Sequence, residues 1–168
     1  MKTLVLGLGN TLLTDDGVGI YAARELAERL GGAADVAEAE VAGLDLIERL
    51  SGYDRVFIID AIELEGEEPG TVFRLRPDDL RTTPRLSSAH DIDLVTALAL
   101  GIRLGFRMPS DVILFAVQAE DARTLREGCL PAVASAVPGL VAEIAAEITG
   151  AKAKRVSRSL GERRNRNA

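Results

Sequence analysis

Three side chains far apart in the sequence are the candidates to carry the chemistry of this chain: Asp16, Asp60 and His90. Asp16 follows Asp15 in the stretch GLGNTLLTDDGVG, which runs from Gly7 to Gly19. A glycine turn of this kind suggests a nucleotide, but the Gly-x-Gly-x-x-Gly fingerprint fails because Leu12 stands where its third glycine belongs. No Gly-Lys-Ser/Thr follows, and two carboxylates at a helix start would repel a phosphate. Thr14 or Asp15 is expected to cap the helix that follows, since acids are favoured there and accept its first backbone amides. One cap suffices, which leaves Asp16 to face whatever lies over the sheet edge.

Asp60 closes the apolar run Val56-Phe57-Ile58-Ile59. A carboxylate there needs hydrogen bonds or a cation to offset its lost hydration. Capping a loop or pairing with an arginine would meet that need. Function is favoured, because ligands of open α/β sheets bind beyond the carboxyl ends of the strands. His90, the only histidine, lies in LSSAHD, where Ser88 and Asp91 have capping-box spacing. That places it in the first turn of a helix, whose positive end opposes an imidazolium and favours the neutral, metal-binding ring. Two carboxylates and one imidazole suit a borderline divalent ion such as nickel or zinc, with coordination positions left open. Without thiolates such a site is weak and exchangeable. Cys129 with His90 is the alternative of a cysteine protease; Cys129 next to Gly128 at an apolar helix start reads instead as a small buried side chain.

The elements that must position these residues follow from hydropathy. Lys2–Leu8 is an apolar strand buried on both faces. Helix from Gly17 to Leu30 follows, with Ile20, Ala23, Leu26, Ala27 and Leu30 on one side and Gly31-Gly32 as its stop. Asp35–Val41 reads as a second strand, Leu44–Leu50 as a short helix, and Arg55–Ile62 as the central strand. The link to the strand Thr71–Leu75 is short for a helical crossover, so that strand is expected to be antiparallel. Asp91–Phe106 is helical, Val112–Gln118 is a strand, and Leu130–Ile148 is a long helix that Pro138 should kink. The result is an α/β fold, a three-layer α/β/α sandwich with a mostly parallel five-stranded sheet.

Composition sets the broad class. The chain has 168 residues, 47% apolar and 27% charged, which suits one soluble domain. Its 20 basic and 26 acidic residues are unevenly spread. Seven basic residues and one acid lie from Ala151 onward, so this stretch carries +6 and residues 1–150 carry −12. Residues 1–150 are therefore taken as a single domain and 151–168 as a basic, disordered tail. The acidic body disfavours nucleic acid as a partner. No stretch is expected to approach a membrane span, the apolar start is too short for a signal peptide, and one cysteine fits the reducing cytoplasm.

These residues together resemble the hydrogenase maturation proteases. The resemblance rests on Gly7-Leu8-Gly9-Asn10 through Asp15-Asp16-Gly17, Asp60 in IIDAI, His90 in SSAHDIDL, Gln118 after ILFAV, and Gly128-Cys129-Leu130-Pro131 before a proline-bearing helix. It spans residues 1 to about 148. It implies an endopeptidase that removes the C-terminal extension from the large-subunit precursor of a nickel-iron hydrogenase. It also implies that Asp16, Asp60 and His90 contact nickel brought by that precursor, with no tightly held metal of the enzyme's own. A departure from the family pattern is Glu40-Val41-Ala42-Gly43, where Gly-Gly-Thr is common, and it bears on substrate choice. A nickel-binding escort that does not cut is the alternative, and a monomer is favoured.

Overall fold

The computed structural model describes residues 1–40, 44–82 and 89–159, without the side chains of 81–82 and 89–93. Strands β1 (Thr3–Leu8), β2 (Asp35–Ala39), β3 (Arg55–Ile62), β4 (Val72–Leu75) and β5 (Asp111–Gln118) form one sheet in the order β2-β1-β3-β5-β4. All neighbours are parallel except β4 and β5. The antiparallel strand is thus the one expected from its short link. That link is fixed where Gly70 N donates to Gln118 O at 2.8 Å and Gln118 N donates to Thr71 O at 2.8 Å.

Five helices cover the sheet among the described residues: α1 (Val18–Leu30), α2 (Asp45–Leu50), α3 (Pro77–Thr82), α4 (Ala89–Arg103) and α5 (Pro131–Thr149). Strand alternation sorts the core into two halves. Val5, Phe57, Ile59, Ile113 and Phe115 pack with α1 and α5. Leu4, Leu6, Val56, Ile58 and Leu114 point the other way, toward α2 and α4. Each fully buried large side chain contributes about 1.5–3 kcal/mol, so both faces are strongly committed to their helices.

The helix α3 lacks an apolar face long enough to stand out in the sequence. It starts at Pro77, a favoured first helical residue, and Asp79 Oδ2 accepts from Arg76 N at 2.7 Å. The helix α4 stops at Arg103 rather than Phe106, because Gly105 turns left-handed (φ 83°) and Phe106 N donates back to Gly101 O. The Ser88–Asp91 capping box lies outside the described residues, as does the Val41-Ala42-Gly43 loop. Pro138 sits inside α5, and the helix continues on both sides of it.

Two expectations need correction. One helix, Pro131–Thr149, is long and apolar enough by length and composition to cross a membrane, contrary to the sequence reading. Its apolar side chains Val133, Val137, Leu140, Val141 and Ile144 are buried within this fold. Val156–Arg158, within the stretch expected to be a disordered tail, is held against the fold. Arg158 pairs in parallel with Phe73 of β4, donating to Val72 O and accepting from Arg74 N. Glu143 of α5, itself buried, accepts from Val156 N at 2.7 Å and from both the amide and the hydroxyl of Ser157. Residues 160–168 of the basic stretch lie outside the described residues.

Candidate active site

Strand order creates the site. From β1 the chain crosses to β2 through α1 on one face, then passes over β1 to β3 through α2 on the other. The carboxyl ends of β1 and β3 therefore form the topological switch point, where such sheets open a crevice. Gly7 pairs with Ile59, so Leu8, the last residue of β1, stands beside Asp60.

The glycine motif serves close approach. A Cβ on Gly19 would overlap the carbonyl oxygens of Ile59 and Leu8, so α1 starts directly on the ends of β1 and β3. Gly9 has φ 131°, and a Cβ there would overlap the carbonyl oxygen of Asp16. These glycines fold the 3-10 turn Thr14–Gly17 back onto β3. Asp16 is partly exposed in that turn, and its Oδ2 accepts from Asn10 N at 2.7 Å.

Neither Thr14 nor Asp15 caps α1, whose N-cap is Gly17 with no side-chain bond. The 3-10 turn runs straight into the helix and leaves no room for a separate cap. Asp15 is instead fully buried, with 0% exposure. Its Oδ2 accepts from Glu120 N at 2.9 Å and Asp121 N at 3.0 Å, and its Oδ1 accepts from Leu130 N at 2.7 Å. Thr14, held at φ 49°, donates its hydroxyl to Thr124 O at 2.6 Å. The two adjacent acids thus have different work: Asp15 ties the β5–α5 loop to the turn, and Asp16 stands at the crevice.

Asp60 is buried at 1% exposure, and its Oδ1 accepts from Ala61 N at 2.8 Å. Val56, Ile58 and Ile62 on the same strand face α2 and α4, so alternation turns Asp60 to that side too. The amino end of the sheet receives the end of α4, where Arg107 O accepts from Gly52 N. A helix of 15 residues spans roughly 22 Å, so the first turn of α4, with His90, lies toward the carboxyl end. The side chain of His90 lies outside the described residues. Among the described residues no group of three His, Cys, Asp or Glu is placed to hold a metal.

Gln118 is a residue whose role the sequence did not disclose. Buried at the end of β5, its amide accepts from Leu64 N at 2.9 Å and donates to Leu64 O at 3.1 Å. It fixes the loop that leaves Asp60. The available signal was a polar side chain closing the apolar run ILFAV. Cys129 is half-buried, and its thiol is pushed up to about 11 by burial first and the Asp15 charge second. It is protonated near neutral pH, which is the wrong state for a nucleophile.

A model of the hydrogenase maturation protease family matches residues 20–147. The chain belongs to that family. It is 31% identical over 121 residues to the hydrogenase 2 maturation protease of Escherichia coli K12, covering 70% of this chain and 73% of that one. Its fold superposes on the hydrogenase maturating endopeptidase HybD from E. coli with a TM-score of 0.75 at 27% identity, covering 89% and 93% of the two chains. For the [NiFe] hydrogenase maturation protease HybD from Thermococcus kodakarensis the TM-score is 0.70 at 30% identity, covering 88% and 99%. The protein is thus a hydrogenase maturation endopeptidase, and the cutting reading displaces the escort.

Proposed function

We propose that this protease removes the C-terminal extension of a nickel-iron hydrogenase large-subunit precursor once nickel is in place, reading that nickel through Asp16, Asp60 and His90. The observation that supports this reading is that the Asp16 turn folds onto the strand that carries Asp60. The backbone of His90 lies in the first turn of α4, on the side of the sheet to which Asp60 turns, which is compatible with this reading. The nickel belongs to the substrate and arrives with it.

Oxygen and imidazole donors with open positions suit a metal that must be contacted and then released. Asp16, tethered through Asn10 N, is the accessible carboxylate, and Asp60 is the rigid one because burial and the Ala61 amide fix it. Gripping the metal would hold the adjacent peptide bond against an attacking water, so positioning supplies much of the rate. Precursor loaded with nickel, and the same precursor without it, are incubated with Asp16→Ala, Asp60→Ala and His90→Ala variants. Loss of the band shift in all three, and none with nickel-free precursor, is expected. Normal processing by Asp16→Ala would end this assignment.

A further inference from the structure

The loop after β1 and the loop after β5 are joined as one body. Arg126 N donates to Leu12 O at 3.0 Å, and Thr14 N donates to Arg126 O at 2.9 Å. The resulting parallel bridge pairs Leu13 with Arg126, which sets Leu12 opposite Leu125. Below them Asp15 fastens both loops through its three amide bonds, and Gly128 N donates to the Tyr21 hydroxyl at 3.0 Å. Despite this anchoring, Leu12 is 57% exposed and Leu125 is 80% exposed.

Loop tips are commonly polar, because exposed leucine gains nothing from solvent. Two leucines side by side, on backbone already ordered by hydrogen bonds, can bury apolar area with little further loss of entropy. Leu12 lies in the loop after β1 that leads into the Asp16 turn, and the Leu13–Arg126 bridge brings Leu125 of the loop after β5 beside it. We propose that Leu12 and Leu125 form a substrate-binding lip, on which an apolar side chain of the client polypeptide packs beside the bond to be cut. This rests on the reading of Asp16 as a group that faces the substrate. Continuity with the Asp16 turn makes the client the occupant. Among the described residues, exposed Ile102, Leu104 and Phe106 cluster at the end of α4 toward the opposite end of the sheet, away from Asp16.

The test is steady-state processing of nickel-loaded precursor by Leu12→Ser, Leu125→Ser and the double variant, with thermal melts alongside. The double variant should raise KM about tenfold with kcat and melting temperature unchanged, and Leu12→Met with Leu125→Met should restore it. An unchanged KM in a folded double variant overturns the lip. So does a wild-type dimer that the double variant dissociates without changing KM, since the leucines would then serve a second copy. Asp16→Ala, assayed in parallel, separates the two claims. Its inactivity beside an unaffected double variant removes only the lip, whereas its full activity removes the role of Asp16.

Discussion

Two groups of acids toward opposite ends of this sheet are held by different means. Toward the amino end Asp111 and Glu147 meet guanidinium groups. Arg55 bridges Asp111 at 2.8 Å and also pairs with Glu147, while Arg74 donates to Glu147 at 2.6 and 2.9 Å. At the carboxyl end Asp15, Asp16 and Asp60 accept from backbone amides. An amide fixes a carboxylate without cancelling its charge, whereas a guanidinium neutralises it. On the proposed reading the amide-held carboxylates are positioned for a cation that arrives with the substrate, whereas the guanidinium pairs close the fold.

That contrast predicts opposite phenotypes. Asp16→Ala and Asp60→Ala should each slow processing at least about a hundredfold, while Arg74→Ala should leave kcat/KM within about twofold; gel-based initial rates decide. An Arg74 variant as inactive as the aspartates would break the division. Asp15→Ala should strike stability instead, by about 3 kcal/mol, because three amides lose their acceptor, and urea unfolding reports it. Glu147→Gln should cost about 1–2 kcal/mol, a modest figure since that pair is partly exposed.

The acid limb sharpens the comparison. The Arg74 hydrogen bond holds the carboxyl of Glu147 below its ordinary value, against the opposing pull of burial. A lowered folded pKa means this stabilisation is complete above the unfolded value of roughly 4.3 and is lost as pH falls through the folded one. Urea midpoints measured from pH 7 to pH 3 should therefore drop less steeply in Glu147→Gln than in wild type. The smallest effect belongs to Cys129→Ser, for which unchanged processing is expected. A large loss there would revive a thiol mechanism.

Much of the fold was legible because its strands are apolar runs of ordinary length. Arg55–Ile62 has the boundaries its composition implies, and the β4 direction followed from a link too short to cross over. The family was legible in the glycine-acid motif. What Asp15 does was not, because its partners Glu120, Asp121 and Leu130 lie more than a hundred residues away, and local propensity assigned it a cap. The grip of Glu143 on Val156 and Ser157 was hidden for a related reason. Composition sees a basic tail, but one buried carboxylate and a sheet border decide where its first part goes.

That docked segment has a practical side. Without it, β4 would be a bare margin offering unmatched amides and carbonyls to any extended strand nearby. Cutting the chain after Thr149 should leave the crevice at the carboxyl ends of β1 and β3 intact while making concentrated solutions prone to clump.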